Sequence, residues 1–160
     1  MKYMEERPKI KSGDVLAWSS PGFINSLIKG ATQSTWTHVG IAWVVGGRVF
    51  VLEAFPRNGV RIQPLSKELP FYHLRSDKFK WTKDMEAYAL ERVGESYSVL
   101  EAIRGFFGVT KKDSKWECAE YVQEILAHAD LYALSIKPTP HEIVDYCLTE
   151  YKATISKVDK

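Results

Sequence analysis

Cysteine is scarce in this chain. Cys118 and Cys147 are the only two in 160 residues. That is too few for a disulfide framework, and neither belongs to a CxxC pair of the kind that holds zinc. An excess of one charge is missing as well: 22 basic residues against 20 acidic leave a net charge of +2. No basic run is interleaved with aromatics, so nucleic acid is not an expected partner. No stretch approaches the roughly 18 apolar residues of a membrane span. The N-terminal "MKYMEERPKIKSGD" is charged and has no apolar centre. It therefore does not read as a classical signal peptide, and a cytoplasmic or otherwise unexported protein is the expectation. His73, His128 and His141 lie apart without ligand spacing, so neither a metal nor a cofactor is expected. Repeats, low-complexity tracts and linkers are also lacking. With the chain length, this implies one domain over residues 1–160.

What is present divides into two halves. "GDVLAW" reads as a strand entered from a turn, and "SPGFINSLIKGA" as a short helix. In "WTHVGIAWVVGGRVFVLEAF" two β-rich runs flank Gly46-Gly47, the pattern of a tight hairpin. "GVRIQPL" and "PFYHLR" read as further strands limited by Pro64 and Pro70. After them the pattern turns helical. Thr82 is the expected N-cap of "TKDMEAYALERVG", and "SVLEAIRGFFG" is a candidate short helix. Ser114 and Glu117 stand in capping-box spacing ahead of "CAEYVQEILAHA", and Thr139, Pro140 and Glu142 repeat the device. Strands followed by helices predict an α+β fold, an antiparallel sheet packed against helices.

The chemistry centres on Cys118. With Ser114 as N-cap it is the fourth helical residue, near exposed N–H groups and the positive end of the helix dipole, both of which favour a thiolate. It also recurs with Tyr121, Val122, Ile125 and Ala129 at helical spacing. That stripe is equally the pattern of a buried structural cysteine. The hairpin supplies a second element. With Gly46-Gly47 as the turn, Glu53 lies opposite Gly40 and His38 opposite Phe55. His38 and Glu53 are then diagonal neighbours on one face, Cβ atoms roughly 7–8 Å apart or less, within reach of a hydrogen bond. Gly40 leaves them room. A carboxylate in the apolar run "VFVLEAF" is costly to bury unless paired; the alternative is a Glu53 hydrated at a frayed strand end. Cysteine, histidine and carboxylate together follow the nucleophile, base and orienter logic of cysteine hydrolases.

The ordered run "GDVLAW … THVGIAW … VLEAF … GESY … ECAEYV … TPHEI" resembles the circularly permuted NlpC/P60 (papain-like) cysteine hydrolases. These are the YiiX/YebB-like group, with lecithin:retinol acyltransferase-type enzymes as distant relatives. The resemblance extends from about Gly13 to Ile143, and its most specific feature is a histidine strand that precedes the cysteine helix. It implies a permuted papain-like fold, Cys118 as nucleophile, His38 as base and Glu53 as the orienting third member. It also implies Tyr97 in "GESY" as an aromatic near the nucleophile that helps polarise the scissile carbonyl; a core tyrosine is the other reading. The acyltransferase relatives use a second histidine where this chain has Glu53, which argues against lipid acyl transfer. The implied activity is hydrolysis of an amide in a small peptide or acyl-amide, with cell-wall peptides, acylated small molecules and lipids as substrate candidates. A wall substrate for an unexported enzyme would require host lysis or a secretion apparatus. Two alternatives stay open: a non-catalytic lipid- or peptide-binding module of the same fold, and an acyltransferase or esterase acting on lipid acyl groups.

Overall fold

The Gly46-Gly47 turn organises the sheet. Strand β2 (His38–Val45) and strand β3 (Arg48–Phe55) run antiparallel with Ile41 opposite Leu52 and Val45 opposite Arg48. Both turn glycines have positive φ, 57° and 73°, as the tight hairpin turn requires and as side chains other than glycine resist. The structure is a computed structural model that describes residues 1–19, 35–56, 58–96, 117–129 and 138–160. Strands β1 (Val15–Trp18), β4 (Gly59–Pro64), β5 (Phe71–Arg75) and β6 (Thr154–Val158) complete a sheet of order β4-β3-β2-β1-β5-β6. Every neighbouring pair in it is antiparallel. Helix α1 (Tyr3–Glu6) leads into a 3-10 turn, and α2 (Lys83–Glu91), α3 (Cys118–Ala127) and α4 (Pro140–Thr149) follow β5. The architecture is α+β.

Period-two alternation divides the sheet residues between two cores. On one face Val39 and Ile41 of β2 and Leu52 and Ala54 of β3 cluster with Tyr121, Val122 and Ile125 of α3. On the other, Leu16, Trp18, Ala42 and Val51 cluster with Phe71 and Leu65. Burying such side chains contributes about 1.5–3 kcal/mol each for the larger aliphatic ones. The caps follow the sequence. Thr82 accepts a hydrogen bond from the Met85 N–H, and Thr139 with Glu142 forms a capping box at α4. Gly94, beyond the end of α2, has φ 96°.

Three features depart from the expected layout. The strand-then-helix order is incomplete, because β6 returns after α4 to pair with β5 at the sheet edge. Its run "TISKV" is mostly exposed and gives no buried-strand pattern. Helix α3 begins at Cys118, after an extended Glu117 whose side chain makes no cap hydrogen bond, so the cysteine is the first helical residue and not the fourth. A capping-box spacing is a local preference and does not by itself fix where a helix starts. The segments "SPGFINSLIKGA" and "SVLEAIRGFFG", and Ser114 itself, lie outside the described residues.

Candidate functional site

The site forms where two elements begin. His38 is the first residue of β2 and Cys118 the first of α3. The body of α3 packs against the Val39 and Ile41 face, whereas Gly40, Ala42 and Glu53 belong to the opposite face by alternation. Cysteine and histidine nevertheless meet, because both lie at the starts of their elements. There Cys118 is close enough to favour the protonated form of His38.

Across the ring, His38 Nε2 donates to Glu53 Oε2 at 2.6 Å. With Nε2 so engaged, Nδ1 is the ring nitrogen left for the thiol. The ring is held on two further sides, by Trp18 at 5.2 Å between centroids and by Phe55 edge-on at 5.5 Å. Trp18 is fixed in turn by its Nε1, which donates to the Glu68 carbonyl at 2.7 Å. Glu53 is 1% exposed and not hydrated at a frayed end. Gly40 provides the space, since a Cβ at that position would lie 3.4 Å from the Glu53 Cβ and 2.6 Å from Val51 Cγ2.

Electrostatics follow from this geometry. Burial alone would push the His38 imidazolium down, but the charge of Cys118 and its hydrogen bond, then those of Glu53, outweigh burial and raise it to about 10. Burial likewise opposes ionisation of Glu53, and hydrogen bonding to His38, together with Arg61, holds that carboxyl below its usual range. Cys147, on the buried face of α4, is enclosed in the core, where burial pushes its thiol up to about 12.

Arg61 is the residue that sequence reading missed. Its Nε and Nη2 donate to Glu53 Oε1 at 2.9 and 2.6 Å. The register of β3 with β4 places Glu53 directly opposite Arg61. That pairing was within reach, because a short turn after Phe55 aligns "VLEAF" with "GVRIQ" in this way. Tyr97 lies outside the described residues.

His73 also differs from its expected blandness. Its Nδ1 bonds to Glu6 Oε1 at 2.9 Å and its Nε2 to Asp14 Oδ2 at 2.8 Å, all three side chains buried. Asp14 also closes the turn before β1, accepting from the Lys11 N–H at 2.8 Å. Among the described residues no group of three or more His, Cys, Asp or Glu side chains is arranged to hold a metal ion, and no helix is long and apolar enough to cross a membrane.

No protein-family model matches the chain, and no curated protein does. Among solved structures it is similar to the metalloprotein yiiX from Escherichia coli O157:H7, with a TM-score of 0.60 and 19% identity over 75% of this chain. The match spans 66% of that protein's length. It establishes a shared fold. Among the described residues the donor set around Cys118 does not suit a metal, because the guanidinium of Arg61 already occupies the Glu53 oxygen that His38 leaves open.

Proposed function

We propose that the chain is a thiol hydrolase that cleaves an amide bond through a covalent acyl-enzyme. The observation that carries this reading is a buried histidine hydrogen-bonded to a buried carboxylate at 2.6 Å, whose protonated form is also favoured by a cysteine at a helix start. A pure packing role would require none of these groups to be ionisable.

In this reading His38 Nδ1 takes the Cys118 proton, and the sulfur attacks the carbonyl carbon of the substrate amide. The N–H groups of Cys118 and Ala119, the first two of α3, lie beyond the reach of intrahelical acceptors and would serve the oxyanion that develops. The tetrahedral species collapses as His38 returns the proton to the nitrogen; the C–N bond breaks and the free amine leaves a thioester on Cys118. Water, deprotonated by His38, then adds to the thioester. The C–S bond breaks, the acid departs and the sulfur recovers its proton partner. Glu53 keeps the proton on Nε2 so that Nδ1 faces the sulfur, and stabilises the imidazolium in each half-reaction. Peptide and acyl amides, including those of cell-wall fragments, are the proposed substrate class, on the strength of the resemblance to permuted NlpC/P60 hydrolases.

Alkylation tests the reading directly. Cys118 should react with iodoacetamide at about pH 6, well below the range of an ordinary thiol near ~8.5. Cys147 should stay unlabelled, and His38→Ala should abolish the early reaction, both read by peptide mass spectrometry. Slow labelling of Cys118 that is indifferent to His38→Ala would instead mark a structural cysteine in a binding module. Products formed with and without an added acceptor would separate hydrolysis from acyl transfer.

A further inference from the structure

The carboxylate of Glu53 has two oxygens with different partners. Oε2 meets His38, and Oε1 receives both Nε and Nη2 of Arg61. A carboxylate is free to turn about its last bond unless both oxygens are held. Here the guanidinium fork fixes one oxygen and so aims the other at the imidazole.

Arg61 is itself held from several directions. Its guanidinium lies 3.9 Å from the centroid of the Phe55 ring, the same ring that meets His38 edge-on. Nη2 also reaches Glu68 Oε1 at 3.4 Å, and the Glu68 carbonyl anchors the Trp18 indole over His38. The Arg61 side chain is 17% exposed and Glu53 is 1% exposed, so this pair is largely out of water.

Charge makes the same point independently. A thiolate, an imidazolium and a carboxylate enclosed together sum to one negative charge, which a low-dielectric site tolerates poorly. A neutral orienting residue would create no such deficit; a glutamate does. Arg61 supplies the missing positive charge, which it shares with the more exposed Glu68 carboxylate at 3.4 Å.

Resting on the hydrolase reading, we infer that Arg61 is the fourth member of the constellation, a positioning residue that anchors Glu53 Oε1 and neutralises the buried charge of the site. It touches neither the thiol nor any substrate, and acts through Glu53.

The test is the pH profile of Cys118 alkylation in the wild type, Arg61→Met and Arg61→Lys, with circular dichroism to confirm folding. Loss of the cation disfavours a thiolate, whether Glu53 stays charged or takes up a proton. Arg61→Met should therefore move the rise in reactivity to higher pH by about one unit, a roughly tenfold slower reaction at about pH 6. Arg61→Lys keeps the charge but loses the fork, and should fall between the two. If Arg61→Met does not fold, Arg61→Lys alone decides. Either folded variant with a wild-type profile overturns the inference and leaves the hydrolase reading intact. A wild-type enzyme that itself fails to react at about pH 6 overturns both.

Discussion

His38 can be the raised base this structure describes only while both of its neighbours keep their charge. Cys118 is the largest influence that favours its protonated form, ahead of Glu53, and both work against burial. Cys118→Ala should therefore return the imidazole toward its ordinary range. The imidazole resonances of His38, followed by NMR, should still report a protonated ring at about pH 8 in the wild type and a largely neutral one in Cys118→Ala. A titration unchanged by the substitution would mean that no ion pair exists between sulfur and ring. His73 offers an internal contrast, since its two partners are carboxylates from α1 and from the turn before β1; Cys118→Ala should leave its signals in place.

Between elements, the critical distance is the approach of β2 to β3 at Gly40. A methyl group there would lie 2.6 Å from Val51 Cγ2 and 3.1 Å from the Leu52 carbonyl. Backbone and a stiff β-branched side chain give way poorly, so Gly40→Ala should destabilise the fold by about 1–3 kcal/mol in urea denaturation. It should also slow Cys118 labelling, because the strands can relieve the contact only by moving Glu53 away from His38. This interstrand register was legible from sequence, since two glycines in a tight turn leave a single pairing and period-two alternation does the rest. So were Thr82 and Thr139, whose capping depends on residues a few positions away. The start of α3 was not, because the Ser114 and Glu117 spacing points to an earlier start, whereas the helix begins after an extended Glu117 that makes no side-chain cap hydrogen bond. Nor was the face against which α3 docks, which apolar residues on both sides of the sheet left undetermined. Strand β6 escaped because an exposed edge strand needs no apolar alternation.

For the molecule as a whole, the site is also a source of pH-dependent stability. The His38 imidazolium is favoured by folding, so its contribution is complete below the ordinary value of 6.5 and fades as pH climbs through about 10. The Glu53 carboxylate is favoured too, so its contribution is complete above 4.5 and fades as pH falls further. Between those ordinary values, 4.5 and 6.5, both act together. Denaturant titrations of wild type and Glu53→Gln should differ most in that window, by about 3 kcal/mol; the gap should close as pH falls below 4.5 and only narrow as pH rises through about 10, where Glu53 keeps its pairing with Arg61. A constant gap across the pH range would sink the linkage. The second buried ionic knot has a different reach. Glu6 is bound to His73, 67 positions along the chain, while Lys2 forms an isolated bridge with Asp159 and the Tyr3 N–H donates to the Asp159 carbonyl. The opening residues are thus threaded into the far side of the sheet and stitched to its last strand. Cutting them away would strip a hydrogen-bond partner from a buried imidazole, so this tail behaves as a keystone of the sheet and not as a handle to be trimmed.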